Sequence, residues 1–530
     1  MILVRGLRLE TREDASALKK RAAAALKVAP EEIAALEITK KSLDARKKED
    51  IHWVCSAAVS LKRGEGKVLA RGRDGRVAAY HRPEYAIPKV SAPAKRPVIA
   101  GFGPAGMFAA LVLARAGACP LVLERGADAD TRVEAVERFR SGGPLTKDAN
   151  VQFGEGGAGT FSDGKLNTGI SDSRLSWVLE QFHTHGAPES IIYDAKPHIG
   201  TDILVNVVKN IREEILSLGG EVRFRTELTG LCMEDGRLTG VLAADENGQR
   251  RIDCDRLILA VGHSARDTFE LLNSLGLPME QKPFSMGVRI EHLQRDIDRS
   301  QYGREREELP AADYSLNVHL PDGESAYTFC MCPGGEVIAA ASEEGGVVTN
   351  GMSLSARAGE NANAALLVTL HPEDFPDRGV LSGMYWQRDI EQAAFRYGGG
   401  SYRAPAQLAG DFLTGRASVG PGRVTPTYRP GVRWGDLHEV LPEKLTSVLE
   451  EALPELGRRL KGFDDADAVL TAPETRSSSP VRILRGEKLE SVGLEGLYPC
   501  GEGAGYAGGI SSAAVDGMRC AEQVLRALSE

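Results

Sequence analysis

The chain has 530 residues, of which 42% are apolar and 26% charged, the profile of a folded protein of roughly two or three domains. Its formal net charge of −9 excludes a general DNA-binding protein, because contact with phosphates needs a basic surface. The eight cysteines show neither a CxxC pair nor a regular framework, which excludes a disulfide scaffold. Cysteines and histidines also lack metal-ligand spacing, so no metal site is predicted.

The cysteine usage favours a reducing compartment, and a cytoplasmic location is predicted. No run of about 18 uncharged apolar residues is present, so neither a membrane span nor membrane contact is expected. The first residues show no apolar segment followed by a small-residue cleavage site.

Residues 1–90 are predicted to form a small α+β domain of ferredoxin-like type. The predicted elements are a strand at 2–9, a helix at 11–26, and strands at 34–40 and 51–61. The basic run 40–48 is interpreted as a solvated loop, with contact to an anion, RNA or a protein partner as the alternative. The proline-containing stretch 82–96 predicts a linker.

A dinucleotide fingerprint opens the second predicted domain, residues 96–280, in which a later helix is predicted at 202–218. A buried strand at 97–100 runs into Gly101-Phe102-Gly103-Pro104-Ala105-Gly106, and a helix follows at 107–116. The first glycine of such a motif allows a tight turn, the second lets the backbone approach a pyrophosphate, and the third lets helix and strand pack closely. The helix N-terminus attracts the phosphates.

An acidic residue ends the second strand of this βαβ unit. Glu124 is predicted to accept hydrogen bonds from the ribose hydroxyls, and the adjacent Arg125 is included among the cofactor contacts. An acid at this position disfavours a 2′-phosphate, which leaves NAD or FAD.

The pattern changes after residue 280. Short alternating strands with glycine turns predict an inserted, mostly antiparallel substrate or cap domain over residues 281–470. Helices are predicted within it at 384–397 and 442–461. The dinucleotide-binding fold then resumes over residues 471–530.

A second glycine-rich motif near the end of the chain decides between NAD and FAD. Residues 497–510 read Leu-Tyr-Pro-Cys-Gly-Glu-Gly-Ala-Gly-Tyr-Ala-Gly-Gly-Ile and precede a predicted helix at 511–528. They resemble the C-terminal motif of the glutathione-reductase-type FAD superfamily. The resemblance implies FAD, with Gly501 and Glu502 at the ribityl chain, where the superfamily usually has Asp. Gly508, Gly509 and Ile510 would then face the flavin N1–O2 region, where a helix N-terminus stabilises negative charge.

Three further segments match this superfamily in the expected order. The loop 151–168 resembles its glycine-rich pyrophosphate loop, Leu228 its adenine contact, and 257–262 the strand and turn that cross near the dinucleotide. The additional cofactor contacts that the resemblance implies are Gly156, Gly157, Gly159, Thr160, Ala260 and Gly262. A second Gly-x-Gly-x-x-Gly unit and a CxxxxC pair after the first helix are both missing, which excludes a disulfide reductase of the glutathione-reductase type.

Motifs along the whole chain resemble a family of bacterial FAD-dependent dehydrogenases without assigned substrates, which carry a small N-terminal α+β domain. The motifs lie at 41–48, 327–335, 350–353, 474–480 and 501–518. The predicted fold class is therefore α/β: an FAD-binding Rossmann-like fold of glutathione-reductase type with an inserted β domain and an N-terminal α+β domain.

The inserted sheet is predicted to cap the flavin, in a layout similar to geranylgeranyl reductases and p-hydroxybenzoate hydroxylases. Strand alternation predicts that Thr328, Cys330 and Cys332 share one face, opposite Phe329 and Met331. Cys330 and Cys332 are candidates for a redox or nucleophilic role, with core packing as the alternative.

Two more catalytic candidates flank the predicted flavin site. His263 is a candidate proton donor, with a structural hydrogen bond as the alternative. Arg476, beside a run of three serines, is a candidate holder of an anionic substrate or of the flavin edge, with a capped turn as the alternative. Asn350, Ser353 and Arg357 are predicted to line the same cavity.

These patterns predict an FAD-dependent oxidoreductase, a dehydrogenase or reductase that transfers hydride between flavin N5 and an unidentified small organic substrate. Electrons would come from transiently bound NADH or NADPH, from a protein electron donor, or from the substrate itself. Two alternatives stand beside this prediction. One is a flavoprotein with structural or sensory FAD that binds RNA or a protein partner, and the other is a flavin monooxygenase.

Overall fold

The computed structural model describes residues 1–71, 75–166 and 168–529. Within these ranges the helices are α1 (Ser16–Leu26), α2 (Glu65–Arg71), α3 (Pro104–Ala116), α4 (Ala129–Arg140), α5 (Arg174–Thr184), α6 (Thr201–Ser217), α7 (Arg266–Ser274), α8 (Gln294–Tyr302), α9 (Ser382–Tyr397), α10 (Ala409–Phe412), α11 (Glu443–Arg459) and α12 (Ile510–Ser529). Helices predicted at 202–218, 384–397, 442–461 and 511–528 are confirmed by α6, α9, α11 and α12.

The strands are β1 (Ile2–Glu10), β2 (Ile33–Asp44), β3 (His52–Leu61), β4 (Val77–Ala79), β5 (Val98–Ala100), β6 (Leu121–Leu123), β7 (Glu221–Arg223), β8 (Glu227–Glu234), β9 (Arg237–Asp245), β10 (Gly248–Asp253), β11 (Leu257–Leu259), β12 (Met279–Gln281), β13 (Phe284–Leu293), β14 (Asn317–His319), β15 (Ser325–Cys332), β16 (Glu336–Ala339), β17 (Thr349–Met352), β18 (Asn361–Leu370), β19 (Ala404–Leu408), β20 (Val432–Trp434), β21 (Val469–Glu474), β22 (Val481–Ile483) and β23 (Leu497–Pro499).

The N-terminal domain is ferredoxin-like. Its elements follow the order βαββαβ, and its antiparallel sheet has the strand order β2-β3-β1-β4. Alternate residues of β1, such as Ile2 and Val4, point into a core that Leu18 and Ala22 of α1 complete. The predicted fold of this region is therefore confirmed.

The basic run of this domain is a strand for half of its length, so the predicted solvated loop is wrong there. Strand β2 continues to Asp44. The Lys41 N–H donates to the Tyr193 carbonyl oxygen (2.7 Å), and the Lys41 carbonyl oxygen accepts from the Ala195 N–H (2.8 Å). These two hydrogen bonds attach the run to the next domain. The pattern of apolar and polar residues within a short segment does not indicate such a long-range contact.

The segment between these domains has neither helix nor strand over residues 80–97, as the linker prediction expects. It is nevertheless bound to the neighbouring domain. The Tyr85 hydroxyl donates to Glu522 (2.9 Å), its ring lies 5.0 Å from the Trp177 ring, and the Val90 N–H donates to the Ala116 carbonyl oxygen (2.9 Å).

The nucleotide domain is built on a parallel sheet with the order β23-β11-β5-β6-β7. Helix α3 starts at Pro104, a residue whose missing N–H costs nothing in a first turn. It ends at Gly117, whose φ of +94° allows its N–H to bond the Leu113 and Ala114 carbonyl oxygens. Because α3 lies between the sheet and α12, almost all of its residues are buried.

Gly517 sets the distance between α12 and α3. A Cβ atom at this position would lie 2.0 Å from the Ala105 carbonyl oxygen. We therefore expect Gly517→Ala to destabilise the protein by about 1–3 kcal/mol, as overpacking of a core does. Gly66→Ala is the matched control, since Gly66 is also helical and a Cβ there meets no described atom within 4 Å. It should stabilise α2 slightly, and equal midpoints of thermal unfolding for both variants would contradict the packing role.

The cap domain is a seven-stranded sheet with the order β14-β15-β18-β13-β21-β19-β20. Its neighbouring strands are antiparallel except for the β19–β20 pair, which confirms the predicted mostly antiparallel sheet. Every residue of the central strand β13 is buried, and α11 packs against this sheet. Strand β21 belongs to the sheet and ends at Glu474, so the cap extends past the predicted boundary at residue 470.

A bulge in β15 breaks the predicted alternation of side chains. Phe329 pairs with Ala365, but Cys332 pairs with Asn363, so β15 contains one extra residue. At the bulge, the backbone of Cys330 lies in the left-handed region, with φ +41°. As a result Phe329, Cys330 and Met331 all line one cavity, and the prediction that they alternate between two faces is wrong.

Candidate functional site

A cavity of about 420 Å³ lies between the nucleotide domain and the cap sheet. One end is lined by the fingerprint loop and the adjacent strand ends, and the other by the bulge of β15. The predicted cofactor residues that line it are Gly101, Gly103, Pro104, Ala105, Glu124, Arg125, Gly157, Gly159, Leu228, Ala260, Gly262, Gly501, Glu502, Gly508, Gly509 and Ile510. Segments far apart in sequence thus form one wall.

Three predicted cofactor residues stand outside the lining and pack behind it. A Cβ atom at Gly106 would lie 2.0 Å from the Gly101 carbonyl oxygen, so this glycine serves helix packing. Gly156 has φ +82° and would place a Cβ 2.1 Å from the Thr160 hydroxyl. That hydroxyl is buried and donates to the Glu155 carbonyl oxygen. Direct contacts of Gly156 and Thr160 with a cofactor therefore have no support.

The fingerprint loop leaves room at Gly103. A Cβ atom there would have the Gly157 Cα as its nearest described neighbour, at 3.6 Å. Gly157 in turn has φ +63°, and a Cβ on it would lie 2.8 Å from the Gly103 Cα. The two glycine-rich loops meet backbone to backbone beside the N-terminus of α3, a cradle for phosphates that side chains would fill.

The carboxylate of Glu124 holds the loops around this cradle. It is buried and accepts backbone N–H groups of Phe102 (2.7 Å), Gly126 (2.8 Å) and Gly154 (3.0 Å). Since each carboxylate oxygen has two lone pairs, acceptor capacity remains for a ribose hydroxyl. Arg125 stacks over the Phe153 ring at 4.7 Å beside it.

The C-terminal motif supplies the opposite wall. Burial raises the pKa of Glu502 to about 7, against the opposing charge of Lys282. Glu502 therefore exchanges a proton near neutral pH and can donate as well as accept a hydrogen bond. Gly508 and Gly509, just before α12, present backbone that no described atom would obstruct within 4 Å of a Cβ.

These features fit a bound dinucleotide. The backbone cradle between the loops, the free helix N-termini of α3 and α12, and the acid at the end of β6 all line the same cavity. At each glycine of the cradle, a Cβ atom would either lie too close to the facing backbone or enter the open space of the cavity.

At the cap end, the bulge places Cys330 on the cavity wall and Cys332 beneath it. The Arg289 guanidinium, fully buried, donates to the Cys330 carbonyl oxygen (2.7 Å) and approaches the Cys332 sulfur (3.5 Å). The Cys332 sulfur lies 3.2 Å from the same carbonyl oxygen. Cys332 is 0% exposed and does not line the cavity, so a direct catalytic contact by Cys332 has no support.

The pKa values of the two thiols diverge. A hydrogen bond from the Cys332 thiol, helped by the positive charges of Arg289 and Lys165, lowers the pKa of Cys330 to about 6. Burial raises the pKa of Cys332 instead. Cys330 is thus the more acidic thiol of the pair, and it is the one that lines the cavity.

Glu474 lies at the end of β21 on the same wall. Its carboxylate accepts from Arg289 (3.1 Å) and from the Thr349 hydroxyl (3.4 Å). Burial raises the pKa of Glu474 to about 7, although the Arg289 charge opposes the rise. Sequence reasoning placed Glu474 in a family motif but gave it no role.

His263 lines the cavity, but its environment argues against the predicted proton donor. Burial, followed by the charges of Arg476 and Arg266, lowers its pKa to about 3. The imidazole is therefore neutral at physiological pH and is a weak acid. Its Nε2 lies 3.9 Å from a Glu502 carboxylate oxygen.

Arg476 is engaged by protein groups and is not free to hold an anionic substrate, which corrects the prediction. Its Nε and Nη2 donate to the two Glu391 carboxylate oxygens (3.0 and 2.8 Å), and its Nη1 donates to Ser342 (2.5 Å). Glu391 also pairs with Arg266, so this buried cluster joins the cap to α7 of the nucleotide domain.

Lys165 and Tyr314 are among the cavity residues to which sequence reasoning assigned no role. Lys165 projects from the glycine-rich loop, and Tyr314 precedes β14. Lys165 lies within the matched loop 151–168 but is not one of its glycines, Tyr314 lies in no motif, and no local pattern distinguishes either residue from a surface residue. Asn350 and Arg357 line the cavity as predicted, whereas the buried Ser353 donates to the Pro333 carbonyl oxygen instead.

One group of metal-ligating side chains occurs among the described residues, formed by Cys500, Asp516 and Cys520. Arg485 donates to both Asp516 carboxylate oxygens (2.9 and 2.7 Å) and approaches Cys520. The guanidinium charge lies where a cation would have to bind, so the cluster serves as a buried ion pair.

The helices of the described part of the chain include none with the length and apolar character needed to cross a bilayer. All eight cysteines are free thiols.

Comparison with known proteins matches two regions of the chain to family models. Residues 283–477 match "FAD-dependent protein, C-terminal domain-like", and residues 1–60 match a domain of unknown function. A protein of Clostridium beijerinckii, described as uncharacterized, is 47% identical over 529 residues, which is 99% of this chain and 98% of the relative.

Two similar solved structures are the flavin-dependent brominase Bmp2 and a geranylgeranyl bacteriochlorophyll reductase-like protein of Thermoplasma acidophilum. The brominase is 13% identical with a TM-score of 0.40, over 82% of this chain and 79% of its own. The second is 13% identical with a TM-score of 0.35, over 82% and 78%. Both TM-scores lie below 0.5, so neither structure is evidence for a shared activity.

Residues 283–477, which match the FAD-dependent family model, include most of the cap sheet beside the dinucleotide cavity. The similarity to the Clostridium beijerinckii protein extends over the nucleotide domain as well. The chain belongs to a family of FAD-dependent proteins that includes the Clostridium beijerinckii protein, and FAD is its cofactor.

Proposed function

We propose that this protein is an FAD-dependent oxidoreductase, a dehydrogenase or reductase that acts on a small organic molecule. The observation that carries the proposal is the single cavity whose walls join both dinucleotide loops to the bulge of the cap sheet. A cofactor and a substrate can thus meet in one cavity, as hydride transfer requires. A cytoplasmic location, with electrons from NADH, NADPH or a protein donor, belongs to the same proposal.

When bound, FAD supplies hydride transfer at its N5 atom, chemistry that no side chain provides. The residues of the chain orient the reactants and exclude water. The N-terminus of α3 and the facing glycines would hold the pyrophosphate, and Glu124 would hold the ribose. The N-terminus of α12 favours negative charge at the flavin end of the cavity.

Cys330 is the residue of the cap wall suited to move a proton. It lines the cavity, and its thiolate is stabilised by Cys332, Arg289 and Lys165. A thiolate with a pKa near ambient pH accepts a proton from a substrate C–H, O–H or N–H group and returns it in the reverse direction. Glu474, with its raised pKa, is a second exchangeable group on the same wall.

The test begins with an absorbance spectrum of the purified protein and anaerobic addition of NADH and NADPH. We expect a yellow protein whose flavin band bleaches with a suitable donor and recovers with an unsaturated organic acceptor. A flavin that never changes redox state with any donor would contradict the proposal and favour structural or sensory FAD. Oxygen consumption coupled to product formation would identify a monooxygenase instead.

The ionisation of Cys330 gives an independent prediction. Because the pKa of Cys330 is lowered to about 6 from an ordinary value near 9, its alkylation by iodoacetamide should rise with a midpoint near pH 6. Mass spectrometry of digested peptides resolves Cys330 from the other partly exposed thiols, Cys119 and Cys232. Lys165→Met removes a stabilising charge and should move the midpoint upward. A midpoint for Cys330 above about pH 8 would show an ordinary thiol.

A further inference from the structure

Three charged side chains meet at the cap end of the cavity. Asp163 is 0% exposed, and both of its carboxylate oxygens bond the Arg357 guanidinium, at 3.1 Å from Oδ1 to Nε. The Lys165 ammonium lies 3.9 Å from the same carboxylate. One negative charge thus faces two positive charges, and both cationic residues line the cavity. The group has a net charge of about +1.

The backbone beside Lys165 is held in place by two hydrogen bonds of Leu166. The Ser511 hydroxyl, in the first turn of α12, donates to the carbonyl oxygen of the adjacent Leu166 (2.6 Å). The Leu166 N–H donates to the Pro197 carbonyl oxygen (2.9 Å). Among the described residues Lys165 forms no other ion pair, and its side chain is 25% exposed. Its charge is therefore only partly compensated.

A hydroxyl group without a partner completes this wall. Tyr314 is 5% exposed, and its ring packs edge-on against Phe463. Tyr314 is a lining residue of the cavity, and its buried Oη has no hydrogen-bond partner in the described part of the chain. A buried hydroxyl left unpaired is destabilising, and a bound acceptor oxygen would relieve that cost.

We propose that Lys165, Arg357 and Tyr314 form an anion pocket that binds a carboxylate group of the substrate, so that the substrate is an organic acid. This inference rests on the proposed function. A carboxylate matches one uncompensated positive charge and one free hydroxyl donor, whereas a phosphate carries close to two negative charges and needs more donors. The pocket lies on the same cavity wall as Cys330, where the proton would be moved.

Occupation of the anion pocket should be linked to the ionisation of Cys330. The groups that face this thiol are Cys332, Arg289, Lys165 and Asp163. A carboxylate bound to Lys165 compensates one of the two positive charges that hold Cys330 as a thiolate. Ligand binding should therefore raise the pKa of Cys330, and the protein should take up a proton near pH 6–7.

The experiment titrates the FAD-loaded protein with acetate, hexanoate and benzoate, and with the corresponding amides, while the flavin absorbance spectrum is followed. We expect at least one acid to perturb the spectrum in a saturable manner and its amide to bind far more weakly. Lys165→Met should raise the dissociation constant of that acid about tenfold or more, and Tyr314→Phe about fivefold. The matched control is Tyr302→Phe, because Tyr302 is equally buried but donates to the Pro310 carbonyl oxygen away from the cavity. It should leave the constant unchanged.

A second readout is the alkylation midpoint of Cys330, which should move to higher pH with the bound acid. The inference fails if acids and amides bind alike, or if inorganic phosphate competes better than every acid. It also fails if Lys165→Met weakens FAD retention on ultrafiltration while the binding of acids stays unchanged, since Lys165 would then serve the flavin. If an acid binds to the FAD-loaded protein but no donor reduces its flavin, the result would support the anion pocket and contradict the proposed oxidoreductase activity.

Discussion

Gly103→Val should yield a folded protein without FAD. The backbone at Gly103 has φ −76°, which any residue adopts, and a Cβ would meet its nearest described neighbour only at 3.6 Å. The apoprotein therefore tolerates the first added atom, whereas a branched side chain would occupy the space of the pyrophosphate. We expect FAD affinity to fall about a hundredfold or more, measured by the flavin absorbance retained after ultrafiltration.

Two companion variants separate cofactor loss from unfolding. Gly106→Ala, whose Cβ would lie 2.0 Å from the Gly101 carbonyl oxygen, should lower the stability of the apoprotein itself. Gly420→Val, at an open position without a described neighbour within 4 Å, should change neither FAD retention nor the unfolding midpoint. Full flavin retention in Gly103→Val would mean that the pyrophosphate lies elsewhere.

The second large effect is expected at Glu391, which pairs with two buried arginines. Its carboxylate oxygens accept from Arg266 (2.8 and 2.9 Å) and from Arg476 (3.0 and 2.8 Å), and Glu391 is 1% exposed. Among the described residues, Glu391→Gln leaves the two buried guanidinium groups with only the partly exposed Glu343 as a counter-charge. Removing one partner of a buried ion pair costs about 3–5 kcal/mol, and urea denaturation measures the loss.

The effect should depend on pH in a defined direction. Burial raises the pKa of Glu391, but Arg266 and Arg476 lower it more, so its pKa in the folded protein falls below its ordinary value. The stabilisation is therefore fully present above about pH 4.3, the value of an unfolded glutamate, and is lost as pH falls further. The exposed Glu344→Gln is the control. Wild-type and Glu391→Gln proteins of equal stability at pH 7 would refute a structural role for the cluster.

The elements that local patterns specify were predicted well. Helix α6 was expected at 202–218 and spans Thr201–Ser217, because its apolar residues repeat along one helical face. Strand β10, in contrast, was not expected. Its residues Gly248–Asp253 are mostly exposed and polar, and only its pairing with β9 makes it a strand. A strand without a buried face leaves no alternation in the sequence.

The cofactor end of the site was predictable for a similar reason, and the substrate end was not. Glycines at fixed spacing indicate tight turns and close backbone approaches, which every protein with this fold needs at the same positions. The left-handed Cys330 and the pairing of Arg476 with Glu391 instead depend on residues that are distant in sequence. Arg289, which fixes the Cys330 carbonyl oxygen, lies 41 positions away from it. Such contacts follow from tertiary structure alone.

The strand order of the nucleotide domain has a consequence for synthesis of the chain. Strand β5 carries the fingerprint near residue 100, but the sheet is completed only by β23, and α3 is covered only by α12. Roughly 400 residues separate these elements, which is about 20–80 s of translation at about 5–20 residues per second. Until the last helix leaves the ribosome, α3 remains without its main helical neighbour. We therefore expect the nascent chain to acquire its flavin only after α12 has been synthesised, and chains that terminate before α12 should not retain flavin.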